Sequence, residues 1–138
     1  MNQQVVEELR KICKDLLERS EVDAIVAYRK KRSEAREVLT VVKSPDDVDS
    51  ITLSPLSLNN PARLLHEIAG EYRKLAVVAK GCDAMAIRQL VIEGKLDREK
   101  LYIIGIACPG VVDYKKFART FKPSEVKEVE LKNGNLVV

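Results

Sequence analysis

The segment from Lys74 to Asp113 constrains the fold more than any other part of the chain. Two apolar runs, Leu75 to Ala79 and Leu101 to Ala107, each end in turn-forming residues, and a helix-length insert separates them. This order is typical of a parallel strand-helix-strand crossover. Because such crossovers are right-handed, both strands end at the same edge of the sheet, where ligands collect in open α/β sheets.

Further elements are predicted before this crossover. Apolar residues recur at helical spacing from about Gln3 to Ser20. Two β-type runs, 22–28 and 38–42, predict a strand pair joined by a basic loop, and 48–58 predicts a short strand or extended segment. Asn59-Asn60-Pro61 begins a second helix, because Asn accepts hydrogen bonds from free amides and Pro suits the first turn.

Turn signals also organise the C-terminal part. Gly94 is placed to end the crossover helix in the left-handed conformation, and residues 114–121 predict a short helix. Asn133-Gly134 is a preferred two-residue hairpin turn. Pairing across that turn sets Leu131 beside Leu136 and Val129 beside Val138.

Length and composition agree with a single domain. A chain of 138 residues can remove roughly two thirds of its unfolded surface from water, so no disulfide is needed to stabilise it. Apolar residues make up 46% of the chain and charged residues 33%, as in ordinary globular proteins. We predict one α/β domain over residues 1–138: a mixed sheet around a central parallel strand-helix-strand crossover, flanking helices and a C-terminal hairpin.

Several classes of protein do not fit this sequence. The net charge of +3 arises from interspersed opposite charges, which gives no basic surface for nucleic acid. No run approaches the roughly 18 apolar residues of a membrane span, and Glu7, Glu8 and Asp15 exclude a signal peptide. We therefore expect a cytoplasmic protein. Its three cysteines, an odd number, argue against a disulfide framework.

The first candidate site is Lys80-Gly81-Cys82-Asp83, a predicted loop between strand and helix. Free amides and the helix dipole favour a thiolate at Cys82, and Lys80 adds positive charge. Asp83 would be the helix cap or its first residue. A purely structural interpretation stays open, since Gly81 and Asp83 suit a turn and a cap whatever the cysteine does.

The second candidate site, Cys108-Pro109-Gly110, repeats this pattern one strand further on. Gly110 allows a ligand close to the backbone, and Pro109 makes the turn rigid. Two thiols at one sheet edge indicate an iron-sulfur cluster, a flavin contact or a thiol-disulfide pair. A cluster normally takes four ligands, and this unit offers only Cys82 and Cys108.

Three other polar residues also allow structural roles. Arg29 follows the first strand and could contact an anionic ligand with its planar donors, or be a solvated strand end. Cys13 falls in the apolar stripe of the first helix and is expected to be a small buried side chain. His66, the only histidine, has no companion metal ligands and is expected on an exposed helix face.

Two sequence stretches carry a resemblance to a known family. VAKGCDAMAI and EGKLDREKLYIIGIACPGVVD, with weaker support from IVAYRK and LSLNNPARLL, resemble the beta-subunit family of coenzyme F420 (deazaflavin) hydrogenases and dehydrogenases. The resemblance implies an α/β domain like the N-terminal part of these subunits. It also implies flavin and iron-sulfur cofactors, and electron transfer between a partner subunit and a deazaflavin or ferredoxin.

The resemblance also assigns residues. The family's two loops near its cofactors correspond to Lys80, Gly81, Cys82, Asp83, Cys108, Pro109 and Gly110, and its upstream positions to Arg29 and Asn60. The chain departs from the family at Met85, where relatives usually have Arg, and at Ala107, where they have Pro. Relatives also continue beyond the equivalent of Val138 into a cysteine-rich, ferredoxin-like stretch.

These departures from the family imply a chain that acts with a separate partner subunit. We expect an electron-transfer or cofactor-binding component of an oxidoreductase, with FAD or an iron-sulfur cluster shared with a partner subunit. A homodimer that joined the loops of two copies would supply four cysteines. The alternative is a non-catalytic interaction or regulatory domain that has kept the fold and lost the redox site.

Overall fold

The computed structural model describes residues 3–31, 37–108, 110–122, 126, 129–132 and 135–137. Its helices are α1 (Gln3–Glu18), α2 (Ala62–Ile68), α3 (Gly81–Ile92) and α4 (Tyr114–Thr120). Its strands are β1 (Ala24–Lys30), β2 (Glu37–Val42), β3 (Leu75–Lys80), β4 (Leu101–Ile106), β5 (Glu130–Lys132) and β6 (Asn135–Val137). Short 3-10 turns cover Pro45–Ser50, Ala69–Glu71 and Arg98–Lys100.

The main sheet has the order β2-β1-β3-β4. Strands β1 and β2 are antiparallel, and β3 is parallel to both β1 and β4. The parallel register of β3 and β4 runs from Leu75 opposite Leu101 to Lys80 opposite Ile106. The predicted mixed sheet, with a β3-α3-β4 crossover at its centre, is therefore confirmed.

Helices cover both faces of this sheet. One apolar cluster joins α1 to residues such as Ile25, Val78 and Ile104, and the other joins α2 and α3 to Val26 and Val77. The alternation follows from the period of two in a strand, which sends successive side chains to opposite faces. None of the helices in the described ranges is long and apolar enough to span a bilayer.

Cys13 lies in the α1 cluster and is fully buried, as its position in the apolar stripe predicted. Burial among apolar side chains raises the pKa of its thiol to about 12, because a thiolate there would be deprived of water. The residue is thus a packing residue, as expected.

The segment 48–58 forms no regular strand in the described structure. A 3-10 turn ends at Ser50, and Thr52 then makes one isolated antiparallel bridge to Tyr28. Beyond it, the Ser54 hydroxyl accepts a bond from the Leu56 amide, and the Ser57 hydroxyl accepts one from the Ser54 amide. Such local side-chain bonds compete with strand pairing. Of the two predicted forms, strand or extended segment, only the extended form occurs, and only after the 3-10 turn ends at Ser50.

The C-terminal predictions fall partly inside the described residues. Gly94 has φ of 74°, so it does occupy the left-handed conformation at the end of α3. Helix α4 matches the predicted 114–121 helix within a residue, and Phe117 packs it against Leu56 and Val129. Strands β5 and β6 pair with Leu131 opposite Leu136, as predicted. The Asn133-Gly134 turn and the pairing of Val138 lie outside the described residues.

Candidate functional site

Cys82 and Cys108 occupy equivalent positions at the carboxyl edge of the sheet. Each lies two residues beyond the last register pair of the parallel strands, Lys80 opposite Ile106. Both side chains are exposed, and both thiols are free. The Cys82 thiol donates to Asp83 Oδ1 over 3.8 Å, and the Cys108 thiol donates to the Gly110 carbonyl over 3.6 Å. The edge therefore presents two exposed thiols, each just beyond the end of one of two neighbouring strands.

The first site is not a loop, because β3 passes directly into α3. The strand continues through Lys80 and the helix begins at Gly81, so Cys82 is in the first helical turn. Lys80 is the cap residue, and Asp83 is the third residue of the helix. Asp83 Oδ2 accepts a 2.9 Å bond from the Lys80 amide, which satisfies a donor that the helix leaves free. This bond makes a separate loop unnecessary.

The Lys80 side chain turns inward rather than towards the thiols. Its ammonium donates to Tyr28 Oη over 2.8 Å and to the Ser57 carbonyl over 2.9 Å, and lies 3.0 Å from Asp83 Oδ2. Only 3% of the side chain is exposed. Three partners match the three donors of an ammonium, and the Asp83 carboxylate balances its charge. The buried pair therefore supplies no net positive charge beside Cys82.

Tyr28 contacts the Lys80 ammonium through both its hydroxyl and its ring. It is fully buried, its hydroxyl donates to the Asn59 carbonyl, and its ring centre lies 4.6 Å from the Lys80 ammonium. Burial raises the pKa of the Tyr28 hydroxyl far above its ordinary range, and the negative charge of Asp83 raises it further. The hydroxyl therefore stays protonated and holds the Asn59 carbonyl.

Glu37 and Ser57 extend the buried polar group. The Ser57 hydroxyl donates to Glu37 Oε2, and the Glu37 amide donates to the Leu56 carbonyl over 3.1 Å. Glu37 is 1% exposed and Ser57 is fully buried. We call Tyr28, Glu37, Ser57, Lys80 and Asp83 the Lys80 cluster. It ties the segment around Ser57 to the ends of β1, β2 and β3.

Sequence patterns did not reveal most of this cluster. Glu37 ends a highly charged stretch and resembled a solvated loop residue, whereas it is the first residue of β2. Ser57 resembled an interruption of an apolar run, and Tyr28 a routine strand residue. Only tertiary pairing brings these residues to Lys80, so no local signal could have found them.

The other predicted site residues are more scattered. Arg29 is exposed near the end of β1, which is parallel to β3 and so reaches the same edge of the sheet. Asn60 accepts a 2.9 Å bond from the Ala62 amide at the start of α2, the capping role predicted for it. Gly110 has φ of 146°, a conformation that favours glycine. Pro109 lies outside the described residues.

The surface around the thiols contains little bulk. Gly81 and Gly105 are both exposed, and a Cβ atom at either would meet nothing within 4 Å. Among the described residues no three His, Cys, Asp or Glu side chains come together as a metal site. A complete iron-sulfur ligand set does not fit this part of the chain.

A separate apolar groove of about 310 Å³ lies along α4. Its apolar lining is Val111, Val112, Phe117 and Phe121, and its polar lining is Asp113, Lys116 and Thr120. It contains neither cysteine. The groove and the thiol edge are therefore two distinct surface features.

A family comparison identifies the C-terminal half of the chain. Residues 72–138 match the family described as the C terminus of the coenzyme F420 hydrogenase/dehydrogenase beta subunit. The match spans 67 of the 138 residues, just under half of the chain. The resemblance found in the sequence is thus confirmed, with one difference: the matched part is the C terminus of these subunits, whereas the resemblance implied the N-terminal part.

Two formate dehydrogenase subunits are similar over most of the chain. The F420-dependent formate dehydrogenase subunit beta of Methanocaldococcus jannaschii is 26% identical over 132 residues, which cover 91% of this chain and 35% of that protein. The F420-dependent formate dehydrogenase 1 subunit beta of Methanococcus maripaludis is 28% identical over 134 residues, covering 91% and 34%. The chain thus spans about a third of the length of these relatives.

A solved structure shows the same fold. A chain of the xenon-derivatized F420-reducing NiFe hydrogenase complex from Methanosarcina barkeri superposes with a TM-score of 0.75 at 16% identity. The match covers 92% of this chain and 47% of that chain. The α/β architecture therefore has a counterpart within a larger polypeptide.

Proposed function

We propose that this chain is a cofactor-binding or electron-transfer component of an F420-type oxidoreductase and that it acts with a partner polypeptide. The observation that carries the proposal is the placement of Cys82 and Cys108, both exposed, at equivalent positions beyond the paired ends of β3 and β4. The family match of residues 72–138 supports the redox setting. The subunit nature of the relatives supports a partner.

The ligand proposed for this edge is a flavin such as FAD, or the related deazaflavin. Gly81 leaves open space at the edge, and the first amides of α3 together with the exposed Arg29 favour an anionic group. When bound, such a ring would accept or donate a hydride or electrons. The contribution of this chain is to bind the ring, orient it and fix its distance from a partner.

The Lys80 cluster would support ligand binding from the protein interior. Lys80 is anchored to Tyr28 and Ser57, and Asp83 is anchored to Lys80, so the junction that carries Cys82 is held at both ends. A rigid backbone under the ligand lowers the entropy lost on binding. The cluster is therefore a positioning device, and none of its buried groups needs to touch the ligand.

An iron-sulfur cluster enters this proposal only as a shared group. Cys82 and Cys108 would provide at most half of the usual four ligands, and a partner polypeptide would have to provide the others. No step of the proposed function depends on such a cluster.

The direct test is anaerobic purification followed by absorption spectroscopy, a flavin assay, and titration of the full chain with FAD. We expect saturable flavin binding that weakens about tenfold or more in Cys82→Ser and Cys108→Ser. Cys13→Ala is the matched control, because Cys13 is buried and far from solvent. A wild-type chain that binds neither FAD nor a deazaflavin would refute the cofactor-binding role.

A second candidate function follows from the hydrogen bonds and the ion pair that Lys80 and Asp83 already make within the protein. Lys80 and Asp83, expected at the cofactor, are buried and satisfied by the protein itself. This arrangement also suits an interaction or regulatory domain that has kept the fold without the redox site. In that case the two Cys→Ser variants would leave partner binding intact, as measured by pull-down from an anaerobic extract of the source cells.

A further inference from the structure

The outer edge of β4 is unusual for an exposed strand. β4 is the last strand of the sheet and pairs only with β3 among the described residues. Natural proteins protect such edges with charged residues, Pro or bulges, because unpaired backbone groups recruit other strands. The six residues of β4, LYIIGI, include none of these charges or prolines.

The uncharged character extends well beyond β4. No Asp, Glu, Lys or Arg occurs from residue 101 to residue 112, although 33% of the whole chain is charged, which corresponds to about four charges in a stretch of this length. In an antiparallel pair about a two-fold axis, a residue on the axis lies opposite its own copy, so a charge there would be repelled by the identical charge. An uncharged edge removes that obstacle.

One face of β4 also has a gap. Leu101, Ile103 and Gly105 point towards the α3 side of the sheet, as the alternation along the strand and the packing of Leu101 and Ile103 require. Gly105 is exposed, and its missing Cβ would meet nothing within 4 Å. The strand therefore carries a bulky residue and an empty position two residues apart on one face.

We infer that β4 pairs antiparallel with β4 of a second copy of this chain, about a two-fold axis at Ile104. Side chains opposite each other must share a face, so this register sets Ile103 of each copy over Gly105 of the other and Tyr102 beside Ile106. The empty position is filled by the bulky one. Moving the axis to Ile103 would instead set Gly105 opposite Leu101, which is already buried within its own copy, and Lys100 beside Ile106.

The result is a continuous sheet of eight strands, twice the four of one copy. Because β4 runs antiparallel to its counterpart, Cys108 of one copy lies opposite Lys100 of the other. The thiol edges of the two copies therefore face opposite ends of the dimer. Such a dimer does not join four cysteines in one site, and it does not depend on the cofactor proposed above.

The test is sedimentation equilibrium of the full chain over a wide concentration range, with reductant present to exclude disulfide dimers. We expect a reversible monomer-dimer equilibrium, since the paired edge is a small interface. Gly105→Lys should raise the dissociation constant about tenfold or more. The monomer can accept the lysine, because the position is open and Gly105 has no positive φ.

Two further variants complete the design. Tyr102→Lys, at a 39% exposed position on the other face of β4, should weaken the dimer as well. Gln4→Lys adds the same charge to an exposed position on α1 and should leave the equilibrium unchanged. Circular dichroism verifies that each variant is folded. A chain that is monomeric at every concentration, or a dimer that folded Gly105→Lys does not weaken, overturns the inference.

Discussion

Replacing Lys80 by Met should destabilise the protein far more than an ordinary lysine substitution. The change removes an ammonium that contacts Tyr28, Ser57 and Asp83 within a nearly water-free environment. It leaves the Asp83 carboxylate buried with no opposite charge. Removing one partner of a buried ion pair typically costs about 3–5 kcal/mol of unfolding free energy. A domain of this kind has only about 5–15 kcal/mol in total.

Urea unfolding followed by circular dichroism measures this effect. At a slope near 2 kcal/mol per molar urea, the midpoint should fall by roughly 1.5–2.5 M. Lys11→Met is the matched control, because Lys11 contacts Glu8 across 3.7 Å with both side chains largely exposed, and such pairs contribute little. Its midpoint should hardly move.

A double variant separates the cost of the buried charge from lost packing. In Lys80→Met with Asp83→Asn, no charge remains unpaired, and the asparagine can still accept from the Lys80-position amide. We therefore expect the double variant to be more stable than Lys80→Met alone. A Lys80→Met variant as stable as Lys11→Met, or a double variant in which the two losses simply add, would refute this account of the cluster.

Three other predictions concern single residues. Burial raises the pKa of the Cys13 thiol to about 12 in the folded state, whereas an unfolded thiol has a pKa of about 8.5. The unfolding free energy should therefore decline by up to about 1.4 kcal/mol per pH unit as the pH rises from about 8.5 towards 12. Cys13→Ala should remove this part of the pH dependence. Gly94→Ala should cost about 1 kcal/mol in thermal or urea unfolding, because φ of 74° strains any residue with a Cβ, whereas Gly70→Ala should cost less. In native protein a thiol reagent should modify Cys82 and Cys108 quickly and Cys13 only after denaturation; modification of all three at one rate would contradict the burial of Cys13.

Periodic patterns in the sequence were sufficient for the main architecture. The apolar runs around Val77 and Ile103 are bounded by turn residues, and the intervening amphipathic segment has the length of a helix, so the crossover followed from local rules. The same was true of Gly94, whose place after the last apolar position of α3 indicated its backbone conformation.

Long-range polar contacts were beyond these rules. The Asp83 carboxylate was expected at a helix start, but its second role, as the counter-ion of Lys80, depends on the distance between two side chains after folding. Likewise, Ser57 and Glu37 lie 20 residues apart in the chain and meet only because β2 runs back along β1. A pattern of single residues does not contain that information.

The Lys80 cluster also bears on how the chain can be divided. Lys80 and Asp83 lie inside the family-matching segment 72–138, whereas Tyr28, Glu37 and Ser57 lie outside it. β3 likewise depends on β1 for one of its two strand neighbours. A fragment that began at residue 72 would expose the apolar face of β3. It would also leave the Lys80 ammonium without Tyr28 and Ser57, with Asp83 as its remaining partner. The family segment and the residues before it are therefore one folding unit, and a graft of this site onto another scaffold would have to carry both.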